Sequence, residues 1–167
     1  MTVTNVARDA ERLTLTITAE FEASIDAVWQ LWENPRLLEQ WWGPPMYPAT
    51  FVNHDFTPGA GIAYFMTSPE GDRHHGWWRV LTVDAPKYIE FEDGFADDAG
   101  NPNPEMPTSI IRVTIAELSE STTRMAVETT FSSTAAMEQL LTMGMDEGMA
   151  AAMGQIPDIL RTAVTST

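Results

Sequence analysis

The chain has 167 residues, of which 44% are hydrophobic, so one domain with a single well-packed core is expected. Its 24 acidic and nine basic residues give a net charge of −15, which should repel nucleic acids and anionic membrane surfaces. Cysteine is absent, so disulfides and thiolate chemistry are excluded. No signal peptide or stretch of membrane-spanning length is visible. A soluble, cytoplasmic protein without nucleic-acid or membrane partners is predicted.

The first part of the chain predicts one strand followed by two short helices. Apolar and polar residues alternate over 12–21, which is typical of a half-buried strand. Residues 1–11 show no such pattern and are expected to be loosely ordered. Ser24 and Asn34 are favourable N-caps for two successive helices, the second of which ends at Gly43.

After residue 47 the apolar pattern changes to a period of two and stays so for about eighty residues. Pro and Gly turns separate the strands, and the last two form a tight hairpin. Gly94–Thr108 is long and irregular and is interpreted as a solvated spacer or a lid. Of the adjacent pair Trp77 and Trp78, we expect Trp78 to face the core. The predicted strands are 49–56, 61–67, 75–84, 87–93, 109–118 and 123–131.

The C-terminal segment, residues 134–163, predicts one long helix with an apolar face. Five of the ten methionines fall in it, and methionine adapts to irregular shapes. Gly144 and Gly148 lie beside this face, and each costs about 1 kcal/mol relative to Ala within a helix. They therefore indicate either a close backbone approach or a groove. Pro157 predicts a kink or a restart of the helix.

The sequence also contains five short motifs, Leu38–Pro44, Asp55–Gly61, His75-Gly76, Asp84–Phe91 and Thr123–Met125. These motifs and the order of the elements resemble the START-like (SRPBCC) superfamily, and within it the bacterial branch related to the C-terminal domain of the heat-shock-protein ATPase activator. The resemblance implies a single domain spanning 1–167, with a core at about 12–164. It also implies an α+β helix-grip fold, in which a curved antiparallel sheet wraps around a long C-terminal helix.

No catalytic residue, metal site or cofactor is predicted from the sequence. His74 and His75 are neighbours on a strand and point to opposite faces, and the adjacent pair His54 and Asp55 fails as a metal site for the same reason. Neither a nucleophile elbow nor a Gly-rich phosphate loop with a Lys is present. Glu90 and Glu92 alternate with apolar residues and are expected on the solvent side.

The leading functional hypothesis is a pocket for a small apolar or amphipathic molecule between the sheet and the Met-rich helix. The flexible methionines, the helix glycines and a superfamily whose members often enclose a cavity favour it. A solid core of aromatic and Met side chains is the competing interpretation of the same residues. The predicted pocket lining is Phe51, Tyr64, Trp78, Phe91, Met125, Met145, Met149 and Met153.

Two other functions stay open at this stage. The resemblance implies a protein–protein adaptor or chaperone ATPase activator, and the acidic surface would steer it onto a basic partner. An enzyme of the cyclase or hydratase kind would instead need two ionisable side chains that converge on an apolar cavity. The chain is expected to be a monomer or a dimer.

Overall fold

The computed structural model describes residues 3–165 and confirms the α+β helix-grip fold. A single antiparallel sheet of eight strands has the order β1-β2-β8-β7-β6-β5-β4-β3. No helix in the described part is long and apolar enough to cross a membrane. The elements are β1 (Val3–Asp9), β2 (Thr14–Phe21), α1 (Ile25–Glu33), α2 (Pro35–Trp41), β3 (Ala49–Phe51), β4 (Gly61–Thr67), β5 (Arg73–Asp84), β6 (Tyr88–Phe95), β7 (Ser109–Ser119), β8 (Thr122–Phe131), α3 (Thr134–Thr142), α4 (Met145–Met153) and α5 (Ile156–Thr165).

Strand β1 corrects the expectation that residues 1–11 are loosely ordered. It pairs with β2 along its whole length and adds an eighth strand to the seven predicted; Met1 and Thr2 lie outside the described residues. Most of its side chains are exposed, so no apolar alternation marks it in the sequence. Arg8 forms an ion pair with Asp146 in α4. Partial burial would raise the pKa of Asp146, but Arg8 and backbone N–H groups lower it overall.

The two faces of the sheet differ in chemistry. On the outer face, Arg79 pairs with Glu92 at 2.8 Å and Arg112 with Glu90 at 2.7 Å, which confirms that both glutamates point outward. Each pair joins residues directly opposite in neighbouring strands, as cross-strand pairing requires. β3 ends five residues earlier than predicted, since the Asn53 side chain takes over the pairing with the backbone of β4.

Helices α1 and α2 carry tryptophans that fill one half of the space inside the sheet. Ser24 and Asn34 cap the two helices as predicted. The ring of Trp42 lies 4.8 Å from that of Trp78, which faces the core as expected and stacks on Phe91 at 4.2 Å. Such aromatic pairs contribute about 0.5–1.5 kcal/mol beyond their buried area. In this half of the interior, the aromatic side chains therefore pack into a solid core.

The C-terminal segment is three helices, which corrects the prediction of one long helix. Helix α3 ends where Gly144 adopts a φ of +85°, and this left-handed residue redirects the chain into α4. A second break at Gly154 is followed by α5, with Pro157 in its first turn. The Gln155 side chain holds this break against the end of α2 by donating to the Gly43 carbonyl at 2.7 Å.

Alanine substitutions at Gly144 and Gly148 should have opposite effects on stability. A methyl group at Gly148 meets open space within helix α4, so Gly148→Ala should stabilise the protein by about 0.5–1 kcal/mol. Gly144→Ala also meets open space, but its positive φ should cost about 1–2 kcal/mol. Thermal melts of both variants test this, and a shift of the same sign in both would contradict it.

Candidate functional site

A cavity of about 230 Å³ lies between the inner face of the sheet and the junction of α3 and α4. Strands β6, β7 and β8 form its floor, and the segment between β6 and β7 closes one side. It occupies the half of the interior that the tryptophans leave unfilled. The residues that line it are Asp93, Phe95, Pro107, Ser109, Thr129, Leu140, Met143, Gly144 and Met145.

The floor of the cavity carries three polar side chains beside Phe95, and its cover is apolar. Asp93 and Ser109 are direct cross-strand partners, and Thr129 comes from β8. The cover consists of Leu140, the exposed Met143 and Met145, which lie on both sides of the change in chain direction at Gly144. A bound molecule would therefore meet hydrogen-bonding groups on one side and flexible apolar groups on the other.

Asp93 is held by a tyrosine from a neighbouring part of the sheet. The Tyr64 hydroxyl donates to Asp93 Oδ1 at 3.2 Å. Gly76 lies opposite Tyr64 in β5, and a Cβ there would come within 2.5 Å of the phenol ring. The absence of a side chain at Gly76 thus allows the ring to lie flat on the sheet and reach Asp93.

The ionisation of this pair is set mainly by burial. Burial raises the pKa of Asp93 to about 7, and the Tyr64 hydroxyl and the nearby Trp78 N–H offset part of that rise. Burial and the adjacent Asp93 charge raise the pKa of Tyr64 well above its usual value. Near neutral pH Asp93 therefore exchanges between its neutral and charged forms, while Tyr64 keeps its proton.

Two indole N–H groups at this place lack an acceptor. Within residues 3–165, Trp42 Nε1 and Trp78 Nε1 are buried with no hydrogen-bond partner. Both face Tyr64, and Trp78 also faces Asp93. An unsatisfied buried donor costs about 1–3 kcal/mol. The surroundings of Asp93 are thus rich in donors, which suits a carboxylate more than a neutral acid.

The predicted pocket residues divide between the cavity and the core beside it. Met145 lines the cavity, and Tyr64 and Trp78 support Asp93 from the sheet. The remaining predicted residues lie outside this cavity, because the aromatic rings pack on one another and Met125 Sδ accepts from Trp32 Nε1 at 3.2 Å. Those residues are Phe51, Phe91, Met125, Met149 and Met153. A binding role for the eight residues stays a prediction.

Sequence reasoning missed Asp93, Ser109 and Thr129. The signal for Asp93 was present, since continuing the alternation from Ile89 and Phe91 by two residues places it on the inner face. Its position just before the irregular segment at Gly94 concealed that pattern. Ser109 begins a strand and Thr129 lies within one, so nothing in their sequence neighbourhood distinguishes them from ordinary strand residues.

The histidines lie apart from the cavity lining. His54 Nε2 is 2.9 Å from the Trp32 carbonyl oxygen, while the His74 ring lies near Tyr47 and the His75 ring near Phe65. Across the described residues, no group of three His, Asp or Glu side chains could hold a metal ion. The chemistry of the cavity therefore depends on Asp93 and the hydroxyl groups around it.

Comparison with known proteins places these observations in a family. A family model described as Activator of Hsp90 ATPase homolog 1-like protein matches residues 22–161. The solution NMR structure of a protein from Arthrobacter aurescens is similar over 96% of this chain and 93% of that chain, at 46% identity and a TM-score of 0.92. A search of curated proteins gave no match.

Two further solved structures show how far the similarity extends. A crystal structure of a protein from Mycobacterium smegmatis is 45% identical, covers 95% of this chain and 96% of that chain, and has a TM-score of 0.86. The AHSA1 protein from Silicibacter pomeroyi is 20% identical, with 90% and 99% of the two chains covered and a TM-score of 0.73. At that identity the likeness concerns the fold alone.

Asp93→Asn should change how stability depends on pH. Asp93 has a pKa of about 7 in the folded chain against an ordinary 3.8, so the wild type loses stability as pH rises from about 4 to about 7. The loss is at most on the order of 4 kcal/mol, because Asp93 is only partly buried and solvent screens part of its charge. The Asn variant lacks this loss and should gain on the wild type across that window, with no further gain above it.

Urea unfolding at several pH values measures this gain. Glu92→Gln is the matched control, because it removes a carboxylate from the outer face of the same strand. Parallel pH profiles for the wild type and Asp93→Asn would contradict the assignment. The ¹³C resonance of the Asp93 carboxyl group should titrate with a midpoint near pH 7.

Proposed function

The chain belongs to the Activator of Hsp90 ATPase homolog 1-like family, and we propose from this premise that it binds a small, largely apolar molecule in the cavity beside Asp93. The observation that carries the proposal is the cavity itself, a space of about 230 Å³ between a polar floor and an apolar cover. Family membership supports a binding or activator-like module, and the geometry favours the first. A cytoplasmic setting remains our prediction from the cysteine-free sequence.

The size and the walls of the cavity define the kind of occupant. Pockets for drug-sized ligands usually measure about 300–1,000 Å³, so this one suits a smaller molecule. Ser109 and Thr129 offer hydroxyl groups, while Leu140 and the two methionines offer apolar contact. A ligand with one aromatic or short aliphatic body and one polar group would make apolar contacts with the cover and a hydrogen bond with the floor.

The cover has the properties of an adaptable binding surface. Methionine side chains are flexible and polarisable, so Met143 and Met145 fit occupants of different shape. The left-handed Gly144 lies between them and belongs to no helix interior. The adaptability of the cover therefore comes from its methionine side chains, while the backbone of the junction is hydrogen-bonded on both sides of Gly144.

Met143→Glu should weaken binding of a neutral, naphthalene-sized dye such as 1-naphthol by several-fold. The new carboxylate would lie at the cavity rim, where it must be desolvated when the dye enters. Met46→Glu is the matched control, because Met46 is an exposed methionine outside the cavity lining. Fluorescence titration gives both affinities. Equal affinities in the two variants, or no binding by the wild type below millimolar dye, would contradict the proposal.

A protein–protein adaptor is the second candidate, and the net charge of −15 favours it. Such a surface would approach a basic partner at a rate that falls with salt. The family description suggests an Hsp90 ATPase as the partner to test. If the adaptor function holds, the protein should raise the ATPase rate of a bacterial Hsp90 at low salt and do so less at high salt; no change at either salt would contradict it.

An enzymatic function receives partial support. Asp93 and Tyr64 are two ionisable groups beside a largely apolar cavity, as an enzyme of the cyclase or hydratase kind would need. Of these two groups, Asp93 lines the cavity and Tyr64 does not, and the Tyr64 hydroxyl donates its hydrogen bond to Asp93. We therefore place binding ahead of catalysis.

A further inference from the structure

The charge inside the cavity has no counter-charge from the protein. Asp93 is the one ionisable residue among the described residues that line the space. None of the salt bridges within residues 3–165 includes it. The groups that face it from the surrounding elements are uncharged at neutral pH: Tyr64 from β4, Trp78 from β5, Ser109 from β7, Thr129 from β8, and Leu140, Met143 and Met145 from the cover.

No basic side chain within residues 3–165 lines the cavity, and most of them have partners elsewhere. On the outer face of the sheet, Arg79, Arg112 and Arg124 each pair with a glutamate. Arg8 pairs with Asp146 beyond the cover, and the guanidinium of Arg73 lies over the Phe65 ring at 4.4 Å. Reaching Asp93 would require any of these outer-face arginines to cross the sheet. A cation for this carboxylate must therefore come from outside the protein.

The hydrogen-bond donors around Asp93 favour its charged, carboxylate form. Tyr64 already donates to one carboxyl oxygen, and the Trp78 N–H faces the group without another acceptor. Hydrogen bonding of this kind stabilises a carboxylate, but it supplies no positive charge. Burial still penalises the charged form, so a ligand that brings a cation would relieve the main cost at this site.

We propose that the cavity selects a small apolar molecule that carries one protonated amine, with the ammonium group paired to Asp93 and the apolar body against Leu140, Met143 and Met145. This inference rests on the proposed binding function and deepens it by naming the ligand class. The net charge of −15 acts in the same direction, because it attracts cations and repels carboxylates. A neutral alcohol of equal size could hydrogen-bond to the floor, yet it would leave the carboxylate charge uncompensated.

Three ligands of one size and different charge test the inference. Benzylamine, benzyl alcohol and benzoate share a ring and differ in the polar group. At about pH 8 and about 0.15 M salt, where weak attraction to surface acids is screened, benzylamine should bind at least about tenfold more tightly than benzyl alcohol. Benzoate should bind least. NMR titration that follows the methyl groups of Leu140 and Met145 localises binding to the cavity.

Two variants identify the carboxylate responsible. Asp93→Asn keeps the shape of the side chain and should bring benzylamine within about twofold of benzyl alcohol, by weakening the amine and not the alcohol. Glu92→Gln removes the same charge from the adjacent, outward-facing position and should leave the preference unchanged. A thermal melt of each variant confirms that it folds.

The outcomes separate this inference from the function on which it rests. If benzyl alcohol or benzoate shifts the cavity methyl groups as strongly as benzylamine, the amine preference is wrong and the binding function stands. Retention of the preference in Asp93→Asn would also overturn it, even if both variants are folded. If none of the three ligands shifts the Leu140 or Met145 methyl groups, the cavity does not bind molecules of this size and both proposals fail.

Discussion

The packing of Trp42 against Trp78, and of Trp78 on Phe91, fixes how the helices meet the sheet. Trp42 follows α2, whereas Trp78 and Phe91 lie on neighbouring strands, so these three rings join the helical and sheet layers directly. Trp32 adds a fourth ring from α1 and caps the cluster at 5.7 Å from Trp42. Because rings of this size leave little free volume, the space they fill cannot also hold a ligand. The cavity is therefore confined to the other half of the interior, under α3 and α4.

The aromatic cluster also determines the polarity of the cavity. Trp78 presents its ring to Phe91 and its N–H toward Asp93, so one side chain closes the solid half and supplies a donor to the open half. Trp41 differs, since its N–H donates to the Leu31 carbonyl at 3.0 Å and serves the helix pair alone. A buried carboxyl group is costly, and a fold selected for stability alone would place an apolar residue at Asp93. Its presence beside unpartnered donors is typical of a functional site.

Much of the fold follows from the sequence, because local signals and tertiary packing agree over most of the chain. Ser24 and Asn34 cap helices as their chemistry predicts, and the inward direction of Trp78 follows from the family resemblance and from Arg79 pointing outward. β1 escaped prediction because an edge strand with exposed side chains carries no apolar period. The break at Gly144 is not predictable from the apolar pattern. Apolar residues recur at helical spacing on both sides of this glycine, and that spacing is the same whether the helix continues through Gly144 or ends there.

The site was less predictable than the fold. The sequence predicts a pocket lined by large aromatic residues. Whether a given ring packs in the core or borders a cavity depends, however, on the distances between strands and helices, which no local sequence pattern encodes. Asp93 could have been assigned to the inner face from Ile89 and Phe91. Its link to Tyr64, however, depends on β5 lying between their strands and on Gly76 carrying no side chain there.

The ion pair between Arg8 and Asp146 connects the sheet edge to the start of α4. An edge strand has hydrogen-bonded neighbours on one side only, and its ends separate from the sheet more often than interior strands do. Asp146 directly follows Met145, which covers the cavity. Fraying of β1 therefore releases one attachment of the cover, so amide hydrogens of β1 and of the first turn of α4 would exchange with solvent in concert. Under the proposed binding function, the rate at which a molecule enters or leaves the cavity would then depend in part on the N-terminal strand.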